Sequence, residues 1–472
     1  MANLPVFATA LVADLLPSPV ATPARAASPS RRKTDASPSL AIPGFLSGRV
    51  QWLRAMLMSS VLGALVPVLV HAQDASLGSN VQGLLAYARA QNPELAAMRH
   101  EAEAAAHRVQ PAGALPDPVL RVELENINNY GNDAPPSLLP SKVGDTKYTV
   151  MQQFPLWGKR DLRRDVASAD AQRANALTDA TWNEVAAKLK AGYAQYYLAA
   201  GNERITMEVV ELLSRLEQLA QARYAGGLVA QQDAIRAQLE KTAVQGELIT
   251  LDSEKRQARV RLNALLAREL TAPLAEPQSL RTLPAVSVLD AGALAQRARS
   301  ANPALAAEEA RLRGAQSTRD LVRKNRYPDV NVGVVPTQMG SRITTWGLMV
   351  EVNIPLQQES RRAQEDESEA MISAQRARTE AAANQLLGQL GENLAALDSA
   401  RRWEALTTTQ LMPQSELSFR SALAAYENGK VDFATLLEAQ RQIRKARSDH
   451  LKAQVEALVR LAEIERIVGE DL

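Results

Sequence analysis

The chain of 472 residues contains no cysteine. Disulfides, thiolate metal sites, cysteine nucleophiles and a lipidated cysteine anchor are therefore excluded. Aromatic residues are only 4% of the chain, a composition that suits long helices packed through small side chains better than an aromatic-rich enzyme core. Charge of one sign is also lacking. Lys plus Arg number 54 against 52 for Asp plus Glu, a net charge of +2, without the clustered basic excess that a nucleic-acid surface needs. Beyond residue 72 no uninterrupted apolar stretch approaches the roughly 20 residues of a spanning helix, so any membrane insertion must be by strands. No His-Glu-x-x-His, phosphate loop or Gly-x-Ser-x-Gly occurs. Of the four histidines, His100 and His107 lie seven residues apart, a spacing that does not chelate one ion as an i, i+4 pair does. No catalytic residue, cofactor site or metal site is expected.

Residues 1–48 are rich in Pro, Ser and Ala, carry the basic cluster Arg31-Arg32-Lys33 and show no periodicity, so they are expected to be disordered or a misassigned extension. Arg49 and Arg54, the apolar run from Ala55 to Val70, and the exit Val70-His71-Ala72 together read as a secretory signal over 49–72. Export to the bacterial envelope follows.

The remainder is written twice. Asn92-Pro93-Glu94-Leu95 returns as Asn302-Pro303-Ala304-Leu305, Pro116-Asp117 as Pro328-Asp329, and Phe154-Pro155-Leu156 as Ile354-Pro355-Leu356. Tyr224-Ala225-Gly226-Gly227 returns as Tyr426-Glu427-Asn428-Gly429, each Tyr followed fourteen residues later by Gln, at Gln238 and Gln440. The four offsets lie between 200 and 212 residues and keep their order. A tandem duplication is expected, with repeats at 73–270 and 287–472 joined by a linker at 271–286.

Each repeat opens with a short helical stretch beginning near its Asn-Pro. An alternating segment follows. Leu120, Val122 and Leu124 oppose Arg121, Glu123 and Glu125, and Val330, Val332 and Val334 repeat the pattern, the period of a strand with one apolar side. Return strands carry Tyr148, Val150 and Phe154 in the first repeat and Trp346, Leu348, Val350, Val352 and Ile354 in the second. The first strand pair encloses a long turn-rich loop around Tyr130-Gly131-Asn132-Asp133. From Gly158 to about Arg223 one helix of roughly 65 residues is expected, on the order of 100 Å long. Val209, Leu212, Leu216 and Leu219 space its seam, and Leu451, Val455, Leu458 and Ala462 a second. Pro413 is expected to kink or restart the long helix of the second repeat.

Four strands of about ten residues are long enough to cross a thin membrane when tilted, but too few to close a barrel, and open edges are forbidden in lipid. Copies of the chain must share one barrel. Two would give eight strands with a filled interior, three would give twelve with room for a lumen. Arg121, Glu123, Glu125, Glu351 and Asn353 are the candidates for its wet face. The expected fold is thus mainly α with a small β part. Tandem-duplicated helical hairpins form a trimeric α-barrel, and four strands per protomer contribute to a shared 12-stranded transmembrane β-barrel. The rival reading is a periplasmic adaptor or an elongated coiled-coil envelope protein, which would have one hairpin inserted among many strands or no paired amphipathic strands at all.

These residues resemble the TolC family of outer-membrane efflux channels over nearly the whole of the chain after the leader. The motifs that carry the likeness are Asn92-Pro93, Gln153-Phe154-Pro155-Leu156 with Gly158-Lys159-Arg160, and Tyr426-x-x-Gly429 leading to Leu436-Leu437-Glu438-Ala439-Gln440. The phrase from Phe154 to Arg160 is most similar to the cation-efflux branch of CzcC- and CusC-like proteins, many of which carry an N-terminal lipidated cysteine that this sequence lacks. The resemblance implies a homotrimer with its barrel in outer-membrane lipid and its helical tube in the periplasm. It also implies a periplasmic adaptor and an inner-membrane efflux pump as partners, with heavy-metal cations as cargo. It places Glu438 at an acidic constriction, with Thr435 at the family's other acidic position. Three copies of Glu438, with Asp432 nearby, would make a ring that attracts cations; the plainer role is that of acids on a helix surface. The hairpin tips at Tyr224, Gly226, Gly227, Tyr426 and Gly429 become the candidates for the adaptor-facing end, although as glycine-terminated turns they need no further role.

Overall fold

The computed structural model describes residues 77–127 and 135–472. The extension at 1–48, the leader at 49–72 and the loop around Tyr130-Gly131-Asn132-Asp133 lie outside the described residues.

Helices α1 (Val81–Gln91) and α2 (Pro93–Ala112) precede strands β1 (Val119–Glu125) and β2 (Asp145–Phe154), the long helix α3 (Lys159–Ala225) and its return partner α4 (Gln231–Leu265). After a stretch with one short 3-10 turn, Val286–Leu289, the same order recurs. It comprises α5 (Ala291–Ala301), α6 (Pro303–Lys324), β3 (Val330–Met339), β4 (Arg342–Val352), α7 (Gln358–Leu406), a π-helical turn at Thr407–Leu411, α8 (Met412–Glu427) and α9 (Phe433–Val468). At 67 residues, α3 is about 100 Å long at ~1.5 Å per residue.

The two Asn-Pro motifs turn out to be splices. Asn92 is buried, and its side-chain oxygen caps α2 by accepting from Leu95 N–H at 3.0 Å. Its amide nitrogen donates across the fold to the Leu265 carbonyl at the end of α4, at 2.9 Å. Asn302 does the same, accepting from Leu305 N–H at 3.0 Å and donating to the Ile467 carbonyl of α9 at 2.8 Å. One side chain thereby satisfies an orphan donor of one helix and an orphan acceptor of another. Pro93 and Pro303 follow where no N–H is needed. The helices are thus joined end to end, α2 to α4 and α6 to α9.

With these joints the helices form four columns. α3 packs against α2 and α4 on one side and against α6 and α9 on the other; α7 and α8 pack against α6 and α9. The order is α2/α4, α3, α6/α9, α7/α8. The buried seam of α3 near its lower end is Val209, Leu213, Leu216 and Ala220. The sequence spacing placed Leu212 and Leu219 in it, whereas these two flank the seam, half-buried. Alanine supplies much of the core, which lets the backbones approach closely: Ala88, Ala186, Ala199, Ala237, Ala298 and Ala457 are all buried.

The strands form one antiparallel sheet of order β1-β2-β3-β4. Its junction with the helices is a corner built by the phrase after Phe154. Trp157 (φ 65°) and Gly158 (φ 78°) both adopt left-handed backbone and turn the chain from β2 into α3. The buried Lys159 ammonium then donates to the Tyr327 carbonyl and the Asp329 carboxylate, both at 2.8 Å, while the Trp157 indole N–H donates to the Pro328 carbonyl at 3.1 Å. Removing one member of such a pair leaves a buried charge unpaired. Pro328-Asp329 is thereby tied to the first repeat's corner.

Candidate functional site

The register sorts the sheet into two chemically different faces. Directly paired residues share a face, and the pairs Arg121↔Thr149, Glu123↔Lys147, Asn331↔Glu351 and Lys147↔Thr337 put Arg121, Glu123, Glu125, Lys147, Asn331 and Glu351 on one of them. Lys147 Nζ donates to Glu125 at 2.5 Å, and Asn331 donates to Glu351 at 3.2 Å. The opposite face carries Leu120, Val122, Val150, Val334, Trp346, Leu348, Val350 and Val352, which are between 45 and 74% exposed. A contiguous apolar sheet face of this kind demands a cover. Asn353 lies one residue beyond β4, and its backbone N–H donates to the Asp329 carbonyl at 3.3 Å, carrying the β3–β4 register one residue further into the corner. The apolar face runs on past the strands through the exposed Leu156, Trp157, Ile354 and Leu356.

Both layers have free edges, and the edges coincide. Among the described residues β1 pairs only with β2 and β4 only with β3. Helix α2 leads into β1 and β4 leads into α7, so one side of the molecule is α2/α4 with β1 and the other is α7/α8 with β4. On α4, Ile235, Leu239 and Ile249 are exposed. Together with Thr242 and Gly246 they step by four and three, a second helical seam left uncovered among the described residues. On the opposite edge Trp403, Leu406 and Leu417 are exposed.

At the far end each hairpin closes with the same backbone device. Gly227 N–H donates to the Tyr224 carbonyl and Leu228 N–H to the Arg223 carbonyl, both at 2.9 Å; Gly429 N–H donates to Tyr426 at 3.0 Å and Lys430 N–H to Ala425 at 2.8 Å. Gly227 (φ 70°) and Gly429 (φ 68°) supply the left-handed residue this double bond requires, while Gly226 keeps a negative φ. The flanking tyrosines differ. Tyr426 is 1% exposed, edge-on to Phe433 with ring centroids 5.3 Å apart, whereas Tyr224 is 46% exposed. Arg223 joins the two tips. Its guanidinium lies 5.1 Å from the Tyr426 ring centroid and donates to the Glu427 carbonyl. Sequence reasoning missed this residue, whose partner lies 204 positions away. Burial pushes the Tyr426 phenol up, and Asp233 adds to it. Burial also raises Asp233, aided by the charge of Asp432 and opposed by Arg236.

Asp432 is the N-cap of α9. Its carboxylate accepts from the Thr435 hydroxyl at 2.6 Å and the Thr435 N–H at 3.0 Å, and these bonds hold it below the ordinary carboxylate range. Glu438, one turn further, is exposed and accepts from Gln442 at 3.3 Å. Behind the tips, α9 is tied to the first hairpin by ion pairs. Arg441 grips Glu240 with two bonds, its Nε–H donating at 2.9 Å; Arg444 pairs with Glu247, and Arg447 with Glu208 at 3.1 Å. Between α4 and α9, along α3, lies a cleft of about 860 Å³ whose lining includes Glu247, Arg441 and Arg444 of these pairs. Among the described residues no group of three or more His, Asp or Glu is placed to hold a metal ion, and no helix is long and apolar enough to cross a membrane.

Comparison with known proteins matches the model of the family described as "Outer membrane efflux protein" to residues 84–268 and 294–470. The cobalt-zinc-cadmium resistance protein CzcC of Cupriavidus metallidurans is 24% identical over 423 residues, covering 88% of this chain and 95% of its own. Among solved structures, the outer-membrane channel OprN superposes with a TM-score of 0.70 at 20% identity, covering 82% of this chain and 89% of that one. CusC superposes with a TM-score of 0.71 at 16% identity, covering 84% and 94%.

Proposed function

Since the chain belongs to the outer membrane efflux protein family, we propose that three copies close into a passive, gated exit duct for cargo delivered by an inner-membrane pump and a periplasmic adaptor. The observation that carries this reading is the pair of coincident edges. A copy that pairs its β1 with a neighbour's β4 also lays its α2/α4 column against that neighbour's α7/α8 column. Such a contact joins unlike surfaces, so it repeats until a ring closes. Closure removes the open edges that lipid forbids, turns the apolar face outward into lipid and leaves Arg121, Glu123, Glu125 and Glu351 along a wet lumen. Twelve strands leave that lumen open, where eight would fill it. Leu156, Trp157, Ile354 and Leu356 then sit at the lipid boundary nearest the helices, the level at which aromatic side chains settle.

Heavy-metal cations are the proposed cargo, supported by the name of the CzcC relative. The duct performs no chemistry of its own; the tandem repeats at 73–270 and 287–472, with the linker at 271–286, serve only to build its wall. The tips around Tyr224, Gly226, Gly227, Tyr426 and Gly429 face the adaptor. Glu438 and Asp432 line the narrow end, where a threefold carboxylate ring favours cations. Light scattering of the detergent-solubilised protein is expected to give the mass of three chains; a monomer soluble without detergent overturns the reading. In planar bilayers Glu438→Gln is expected to reduce cation over anion permeability, and unchanged selectivity rejects Glu438 as the filter.

A further inference from the structure

At the end of the sheet farthest from the helices the apolar face changes character. Leu124, Thr146, Gln338 and Ile343 pair in one row across the four strands. They share the face of Val122, Tyr148, Val150 and Val334, because residues two apart along a strand point the same way. The pairing passes over Thr344, between Thr337↔Thr345 and Gln338↔Ile343, and this bulge brings Ile343 into the row. The polar groups here find partners within the protein. The Thr146 hydroxyl, fully buried, donates to the Pro140 carbonyl at 3.4 Å. The Tyr148 hydroxyl donates to Gln338 Oε1 at 2.9 Å, and Gln338 Nε2 donates to the Gly340 carbonyl at 2.7 Å. A face turned to water needs no such arrangement, whereas one turned to lipid does.

The Pro140 carbonyl belongs to the connection between β1 and β2. Its contact with Thr146 places the described part of that connection, residues 135–143, over the apolar face and away from the charged one. The two feet of this strap stand close together. Ser137 N–H donates to the Ile127 carbonyl at 3.3 Å, and a Cβ added to Gly144 would lie 2.7 Å from that of Asn126. Val143 is tucked in, yet Leu138 and Leu139 are 73 and 57% exposed. Lys142, whose N–H donates to the Leu139 carbonyl at 2.8 Å, is exposed as well. Prolines at 135, 136 and 140 remove three backbone donors that a membrane boundary would leave poorly satisfied.

The height of the sheet fits that boundary. The eleven residues of β4 rise about 37 Å at ~3.4 Å each, or about 28 Å along the membrane normal at a tilt of ~40°. With Leu156, Trp157, Ile354 and Leu356 at one limit of the apolar band, the strap falls at the other.

We propose that residues 135–143 are a lipid-side strap resting on the outer leaflet. Leu138 and Leu139 dip into the acyl chains, and the Lys142 ammonium reaches back to headgroup phosphates. Continuity with the apolar sheet face selects lipid as the occupant over a second copy or a soluble partner. The inference rests on the reading of a shared barrel, which turns this face toward lipid.

Because the chain has no cysteine, one introduced thiol carries a single fluorescent label. Leu138→Cys, Leu348→Cys on the sheet face and Leu228→Cys at the first tip replace exposed side chains. Each full-length protein is labelled with a nitrobenzoxadiazole fluorophore and reconstituted into phosphatidylcholine vesicles. It is then quenched either by lipid doxyl-labelled near the headgroup or by iodide on both sides. At 138, doxyl quenching within about twofold of that at 348 is expected, with iodide quenching roughly fivefold weaker than at 228. Iodide quenching at 138 equal to that at 228, with 348 still in lipid, overturns the strap and leaves the barrel standing. A label at 138 shielded from both quenchers also overturns it, since protein then covers the leucines. So does failure of both Leu138→Cys and Leu139→Cys to assemble once labelled, because lipid-facing side chains tolerate a label. Iodide quenching at 348 would instead reject the barrel, and the strap with it.

Discussion

The first and second hairpins end in the same Tyr-x-x-Gly turn, yet one tip is anchored and the other is open. Tyr426 is buried against Phe433 under the guanidinium of Arg223, while Tyr224 stands half out in solvent. The helix that follows differs too, since α9 starts on a capping Asp432 and α4 on Ala230, which has no side-chain cap. After duplication the two copies had different neighbours, and equal backbone turns acquired unequal side-chain partners. The first tip lends its arginine to hold the second. The second tip carries the constriction candidates and hangs below the π-turn.

Tyr426→Ala gives the largest expected effect. It opens a cavity among Ala422, Phe433 and Leu436 and removes the platform for Arg223, at a cost of about 3–5 kcal/mol. Tyr224→Ala is expected to stay within ~0.5 kcal/mol, as exposed substitutions do. Thermal unfolding of the two variants in detergent compares the tips directly, and similar losses would break the asymmetry. A second pair of sites should instead behave alike. Asn92 and Asn302 make the same two bonds in the two repeats, so each Asn→Ala change is expected to cost about 2 kcal/mol by losing a cap and leaving a buried carbonyl unpaired. A loss confined to one of them would show that the end-to-end joints are not equivalent.

What could be read from the sequence is what local periodicity encodes. Alternation in Leu120 to Glu125 and Val330 to Val334 located the strands and their two faces because a strand's side-chain period is two. The absence of proline between Pro155 and Pro273 left α3 uninterrupted. Partnerships at a distance were not legible. Asn92 announces a cap, but its second bond, 173 residues away, exists only once α2 stands on α4. Arg223 looks like any basic residue near a helix end until the second tip arrives beneath it. The seam of α3 was placed one residue off at Leu212 and Leu219 because those leucines border a stripe whose centre uses the smaller Ala220. Pro413 marked an interruption, but its form, a π-turn at Thr407–Leu411 with threonine hydroxyls on the preceding carbonyls, has no local periodicity to announce it.

The caps offer a way to make the hairpins more alike. Ala230→Asp gives α4 the cap that Asp432 gives α9 and is expected to stabilise the first hairpin by about 1 kcal/mol; Asp432→Ala is expected to destabilise the second. Urea unfolding with equal slopes before and after substitution would show that stability alone has changed.

The smallest effect concerns the ion pair that ties the hairpins together. The bonds from Arg441 hold the Glu240 carboxyl below the ordinary glutamate range, against the opposing effect of burial. A group whose pKa is depressed by folding stabilises the folded state fully above its unfolded value, about 4.3, and loses that contribution as pH falls through the folded value. Glu240 is largely buried, but Arg441 is half exposed, so water screens the pair and the contribution is ~1 kcal/mol or less. Between pH 6 and pH 3 wild type is therefore expected to lose slightly more stability than Glu240→Gln, a difference read from parallel unfolding curves across that interval. Because Glu240 lies on α4 and Arg441 on α9, acid removes one link between the hairpins while the core they share stays packed. Identical pH profiles would mean that the Arg441–Glu240 pair adds nothing measurable to the other contacts between the hairpins, Arg444 to Glu247, Arg447 to Glu208 and Arg223 to the second tip.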